Sequence, residues 1–417
     1  MAFPPETEAR VETAKPARRR GYAHRPRRLR AIPPPLPPSD GRDGNSPLQP
    51  WTRARLLVTL AVAVLLPMLL VGAGEAAVAS GWYNRPATAD PVYGIDFSCR
   101  QAEWLGVDCH TAYLAILDQL DVRHVRLSAY WSEIEPSPGQ YDFSELDWQI
   151  QQAADRGVDV TLSVGIKGQR APEFYLPDWV RAGRRIPDGG SPADDPAIAP
   201  AALDFVRVTV EHEAGRSAIE VWQVENEPYV HFWRTAHDWS LPQWFVAREA
   251  AEIRAADPAH RPLLITHASW LRTDSTWQQI LQTADVVGEA VYSKRQRGPL
   301  AGIYLYPFRI GPLTPDLPGQ ERTAKREGKA VWISELQAEP FEAPWVDLQQ
   351  RQSCAVPSIS PALLRANLTL AARSGAERAY LWGAEWWYYC LTVHDDPSLW
   401  QIARQALAAS AARESRR

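Results

Sequence analysis

From about residue 90 onward, short β-branched or apolar runs alternate with helical segments, and this rhythm decides what the chain can fold into. The runs are Tyr93–Phe97, His124–Ser128, Asp159–Val164, Ile219–Val224, Pro262–Thr266, Val286–Glu289, Ala330–Ser334 and Ala379–Trp382. Helical patterns stand between them, among them Thr111–Leu120, Ser144–Arg156, Ala201–Glu213, Pro242–Ala256, Ala362–Ser374 and Pro397–Ala412. A strand followed by a helix and then another strand gives a parallel pair, and eight such units favour closure into a (β/α)8 barrel over an open sheet. No Gly-x-Gly-x-x-Gly occurs, which leaves a dinucleotide-binding sheet without support.

The 417 residues suit one such barrel plus appendages. The net charge of −4 conceals an asymmetry: residues 1–55 hold 12 Lys and Arg against 5 Asp and Glu, and the remainder 33 against 44. Phosphate binding needs clustered cations, so an acidic body argues against nucleic acid as a partner. Residues 1–55, rich in Arg and Pro with the run Pro33-Pro34-Pro35-Leu36-Pro37-Pro38, read as a disordered cytoplasmic tail.

Leu56–Gly74 is an uncharged, largely apolar stretch of 19 residues, long enough as a helix to cross a bilayer. The Arg-rich side precedes it, so the positive-inside rule places the C-terminal body outside the cytoplasm. Residues 56–78 are therefore expected to be a single transmembrane signal anchor or, with Ala77-Val78-Ala79 as a cleavage pattern, a signal peptide removed after Ala79. A linker over 79–90 would then lead to an extracytoplasmic barrel over 91–413, membrane-anchored or secreted.

Four cysteines, Cys99, Cys109, Cys354 and Cys390, form no C-x-x-C pair and give no zinc pattern. Export would permit disulfides, with Cys99–Cys109 and Cys354–Cys390 the preferred pairing of three; buried free thiols are the alternative. The 18 tryptophans could simply fill a large core, or could stack on the apolar C–H faces of sugar rings. No cofactor or metal cluster is apparent. Asn367-Leu368-Thr369 fits a glycosylation sequon, which chance also produces.

In a barrel of this kind chemistry sits where strands end at the C-terminal face. The fourth run leads through Glu225 into Asn226-Glu227-Pro228, and the seventh ends on Glu335. Asn-Glu-Pro alone is weak, because Asn and Pro are common in turns, and a single Glu after a strand is usually solvated. Two such glutamates, on strands nearly across the barrel from one another, can face a substrate held between them. Glycosidic cleavage with retention needs such a pair: one carboxyl protonated for the leaving oxygen, one ionised for attack on the anomeric carbon.

In this order of motifs the chain resembles the large clan of retaining (β/α)8 glycoside hydrolases that includes cellulase-, β-mannanase-, β-xylosidase- and β-galactosidase-like enzymes. The resemblance covers roughly residues 91–410. It implies that Glu227 is the acid/base and Glu335 the nucleophile. It further implies that Arg126 on the second strand and Tyr292 after the sixth support the nucleophile. Asn226 would reach the sugar 2-hydroxyl, and Trp382 after the eighth strand would floor the sugar site. The segment Trp131–Phe143 is similar to the loop such enzymes carry after strand two.

A polar residue such as His or Asn is frequent in this clan after strand three, whereas here Lys167 and Gln169 stand in that region, which leaves the sugar open. The run Glu385–Tyr389 is expected to line a subsite with Trp386. Trp131, Trp179 and Trp233 are weaker candidates whose alternative is packing. Transfer to a sugar acceptor shares the first half-reaction with hydrolysis, and a tethered scaffold using the Arg/Pro tail is a third reading.

Overall fold

The computed structural model describes residues 58–63, 66, 90–231, 237–268, 276–296, 304–305, 317–342, 348, 354 and 356–416. The chain divides into two compact units, one spanning Ala2–Val71 and one running from Gly72 to Arg417.

The larger unit contains a closed barrel of eight parallel strands: β1 Val92–Asp96, β2 His124–Ser128, β3 Asp159–Val164, β4 Ile219–Val224, β5 Leu263–His267, β6 Val286–Val291, β7 Ala330–Gln337 and β8 Arg378–Trp382. Each strand pairs with its sequence neighbours, and β8 closes the ring on β1. All eight runs expected from the sequence are strands, with edges displaced by at most a few residues. The helices Ser144–Asp155, Ile198–Glu213, Gln243–Ala256, Pro361–Ser374 and Ser398–Glu414 also lie where the 3.6-residue pattern places them.

Alternate residues of each strand point into the barrel, and they sort by height. A lower layer packs Val221, Leu264, Val286, Trp332 and Tyr380 together, with the Tyr380 hydroxyl 2.7 Å from Thr161 Oγ1. One pleat higher the lining becomes polar: Asp96 and Arg126 lie opposite each other across β1 and β2, and Gln223 reaches Arg126 from β4. The apolar outer faces of the strands pack against the helices in one continuous core.

Two features escaped the sequence pattern. β7 continues through Glu335 to Gln337, and its register against β6 shifts between the pairs Glu289↔Ile333 and Ala290↔Glu335. Ser334 is thus an extra residue, a bulge of the kind that re-aims the next side chain. The aromatic run after β8, expected to line a subsite, lies in the helix Ala384–Val393. It has no polar face because it is buried on several sides.

Both preferred disulfides are present, Cys99–Cys109 and Cys354–Cys390. The expected tail over 1–55 and most of the expected membrane segment lie outside the described residues. Within that segment residues 58–63 and 66 are helical, and Val58, Leu60, Val62 and Leu66 are exposed. No helix among the described residues is long and apolar enough to cross a membrane.

Candidate active site

Arg126 is the hub of the upper barrel. It is fully buried on β2, and its guanidinium spends each nitrogen on a separate partner. Nε donates to Gln223 Oε1 at 2.6 Å and Nη2 to Asn226 Oδ1 at 2.5 Å. Nη1 donates to Asp96 Oδ1 at 2.6 Å, to the Ser334 carbonyl at 3.3 Å and to Glu335 Oε1 at 3.4 Å. A planar, permanently charged fork suits this task, which a lysine could not reproduce.

Because a guanidinium only donates, the atom of Asn226 facing Arg126 must be the carbonyl oxygen. The amide NH2 of Asn226 is then the end left for a ligand. Glu335 is held from its other side by Tyr292, whose hydroxyl donates to Oε2 at 2.8 Å. Burial and the neighbouring Glu335 and Glu227 charges push the Tyr292 phenol well above its usual range, so it keeps its proton and remains a donor.

Glu227 follows β4 in a left-handed backbone conformation, φ +47°. Its amide donates to Thr266 Oγ1 at 2.6 Å, and its carbonyl accepts from Lys167 Nζ at 2.9 Å. Burial first, then the charge of Glu335, pushes its carboxyl from 4.5 up to about 8, against the pull of Lys167 and Arg126. In a dry site a neighbouring negative charge favours the neutral form of a carboxyl that lacks direct cationic support. Glu335 is the carboxyl with direct donors in Arg126 and Tyr292, and Glu227 has neither of them.

Asp96 belongs to the same cluster and was missed in the sequence. It ends β1 as Glu335 extends β7, and asking every strand end for a carboxyl would have found it. It is fully buried, and burial pushes its carboxyl up to about 8 although Arg126 draws it down.

The remaining expected residues separate into two groups. Trp382 ends β8 nearly buried, with Nε1 donating to Glu339 Oε1 at 2.7 Å, and the Arg170 guanidinium lies 3.9 Å from the centre of its ring. One indole face is therefore already occupied by a cation. Arg170 also pairs with Glu339 and with Glu385, the latter at 2.9 Å. This buried network, supplied by the segments that follow β3, β7 and β8, was likewise not read from the sequence.

Trp386 is 1% exposed in the core, tilted against Tyr389. Its helix turns it into the core. Trp131 is also core, stacked on Phe205, and Trp179 meets Trp131 edge-on. Trp233 lies outside the described residues. After β3, Lys167 is buried and bonded to backbone carbonyls, and Gln169 is buried with neither amide atom hydrogen-bonded.

Among the described residues, three groups of His, Cys, Asp and Glu have ligand atoms within 4.8 Å of one another, none of them including Glu227 or Glu335. Cys99 and Cys109 are joined as a disulfide. His124 pairs with Glu220, and His212 with Asp147.

Residues 104–184 match the family model of glycoside hydrolase 42, Beta-galactosidase. No curated protein matches the chain. Among solved structures, a cold-adapted β-galactosidase from Rahnella sp. R3 is similar at 13% identity and TM-score 0.53, covering 78% of this chain and 56% of its own. A β-galactosidase from Halorubrum lacusprofundi is similar at 16% identity and TM-score 0.51, covering 76% and 58%. GH5_18 from Streptomyces cattleya, in complex with GlcNAc, is similar at 16% identity and TM-score 0.50, covering 70% of each chain. The chain thus spans little more than half the length of the β-galactosidases it is similar to, and what it shares with all three is the barrel.

Proposed function

We propose that this chain, which has the barrel of the (β/α)8 glycoside hydrolases, cleaves β-glycosidic bonds with retention, Glu227 acting as acid/base and Glu335 as nucleophile. The observation that carries the reading is the division of labour between the two carboxyls. Glu335 is held by Arg126 and Tyr292, while Glu227 is raised to about 8 beside it.

In the first step Glu335 attacks the anomeric carbon as the bond to the leaving oxygen breaks, and Glu227 gives that oxygen its proton. The nucleophile is now a neutral ester, so the charge that raised Glu227 is gone and its carboxylate can take a proton from water. That water attacks the anomeric carbon, the ester bond breaks, and Glu335 and Glu227 return to their starting states. The amide of Asn226, with its oxygen fixed by Arg126, donates to the sugar 2-hydroxyl, a contact that strengthens as the ring gains oxocarbenium character.

The match of residues 104–184 to Beta-galactosidase makes β-galactosides the first substrates to try. Release of aryl alcohol from aryl β-galactosides, β-mannosides and β-glucosides by the full chain tests the reading. NMR of the first-formed sugar should show the β-anomer. No turnover on any aryl β-glycoside, or an initial α-anomer, would overturn it.

The proposal extends to location: the apolar segment 56–78 anchors the barrel outside the cytoplasm, its N-terminal Arg-rich tail remaining inside. Recovery of the full chain in the membrane fraction, with the barrel open to external protease, is the expected result. Recovery in the soluble cytoplasm would refute it.

A further inference from the structure

A second pair of carboxyls lies behind the β4 loop, outside the chemistry just described. Glu225 is fully buried at φ +59°. Its Oε1 accepts from the Ile166 amide at 2.8 Å and its Oε2 from the Lys167 amide at 2.5 Å. Glu249 sits on the helix Gln243–Ala256, whose buried positions are otherwise Phe245, Val246, Ala250 and Ile253. A glutamate in that apolar stripe is anomalous: it is fully buried and neither oxygen accepts from a donor.

We propose that Glu249 is a positioning residue that shares one proton with Glu225 and thereby fixes the backbone from which Glu227 acts.

An isolated buried carboxylate costs several kcal/mol, so it takes up a proton or a cation. The cation acting on Glu225, Lys167, is already engaged through Nζ by the carbonyls of Glu227 and Val230 and by Glu173. The other titratable group facing Glu249 is the Tyr229 hydroxyl, which burial keeps protonated. Glu225 is the carboxyl against Glu249, and both are pushed upward by burial, Glu249 the further. Both oxygens of Glu225 are occupied as acceptors of backbone amides. The proton therefore belongs on Glu249, which donates it to Glu225.

The mechanical path from this pair to the site is short. Glu225 fixes the Lys167 amide. The Lys167 carbonyl accepts from the Asn226 amide at 2.7 Å, and Lys167 Nζ donates to the Glu227 carbonyl. Glu225 and Glu227, both left-handed, flank Asn226. Non-glycine residues persist in that region only where the surroundings over-determine them. The Glu249–Glu225 pair is part of that determination.

The inference rests on the catalytic reading of Glu227, and the test separates the two. In the full chain, Glu249→Leu removes the shared proton, and Glu249→Gln replaces it with an amide donor. Kinetics are compared on a phenyl and a 2,4-dinitrophenyl β-glycoside of the sugar the wild type accepts. The phenyl leaving group needs acid assistance and the dinitrophenyl group does not. Misplacement of a catalytic group from a distance costs about 10²-fold. Glu249→Leu is expected to lose about that much kcat/KM on the phenyl substrate, far less on the dinitrophenyl one, and Glu249→Gln to recover most of the loss. Equal losses on both substrates would overturn the positioning role. Independently of activity, the wild type should lose more thermal stability than Glu249→Gln between pH 5 and 8, because only the wild type must part with this proton. Parallel melting curves would overturn the shared proton. A wild type that cleaves no glycoside would refute the function while leaving the melting comparison decisive for the pair.

Discussion

Tyr292 donates its phenolic hydrogen to Glu335 Oε2 at 2.8 Å, from just beyond β6 to the neighbouring strand β7. The Ser334 bulge brings this about, because without the extra residue Glu335 would alternate to the other side of the strand. Tyr292→Phe removes one hydrogen bond to a charged group, about 1.5–3 kcal/mol. The expected result is a fall in kcat/KM of roughly 10- to 100-fold. The fold should persist, since the ring still packs on Phe341. Steady-state kinetics alongside a thermal melt would check this; an unchanged kcat/KM would remove Tyr292 from the site.

The two glutamates predict opposite stereochemistry under rescue. Glu335→Gly opens the α face of the anomeric carbon, so azide should restore turnover of an activated aryl β-glycoside and give the α-glycosyl azide. Glu227→Ala keeps the nucleophile, so azide should attack the glycosyl–enzyme from the β face and give the β-glycosyl azide. NMR of the two products decides the assignment. The same anomer from both variants, or wild-type hydrolysis by either, would contradict it.

Raised carboxyls give a signed pH dependence. In the proposed mechanism Glu227 must be protonated to assist departure, and it is raised from 4.5 to about 8. Activity on an unactivated aryl glycoside should therefore fall as pH rises through about 8. Stability follows the same sign. Glu227 and Asp96 at about 8, with Glu213 and Glu385 at about 7, bind their protons more tightly folded than unfolded. The stability they lend is complete below the unfolded carboxyl values and is lost as pH rises towards the folded ones. Melting temperatures measured from pH 4.5 to 9 should decline over that range. A flat or rising profile would mean that these carboxyls are ionised in the fold.

The legible part of this protein is the part written in local periodicity. Eight short β-branched or apolar runs separated by period-3.6 segments specify strands, helices and hence the barrel, and a carboxyl at the end of a strand is visible because barrel geometry says where strand ends point. Arg126, Asn226, Tyr292 and Glu335 met as expected because each sits on or beside a strand. What stayed hidden depends on side chains meeting across loops. Arg170, Glu339 and Glu385 come from three separate connections, and no spacing relates them. Glu249 is a charge on a helix, and only the packing of that helix turns it inward. Trp386 failed in the reverse sense: aromatic density suggested a sugar platform, but a helix hydrophobic on several faces is a buried helix.

Gly165 gives the most local test of how tightly the β3 and β4 loops are fitted. It follows β3 at φ +137°, a region that side-chain-bearing residues rarely adopt. A Cβ built there would lie 2.4 Å from the Glu225 carboxyl, closer than any contact can be. That carboxyl has no direction in which to retreat, because the Ile166 and Lys167 amides hold both of its oxygens. Gly165→Ala must therefore either twist the β3 loop or push Glu225 off its donors. The second outcome leaves two buried amides without acceptors, at about 1–3 kcal/mol each. The expected loss of stability is thus about 2–5 kcal/mol, read as a lowered melting temperature. Because Asn226 and Glu227 are tied to the same loop through Lys167, kcat on the phenyl glycoside should fall in the fraction that remains folded. A variant as stable and as active as the wild type would show that the close approach of Gly165 to Glu225 is not maintained in solution.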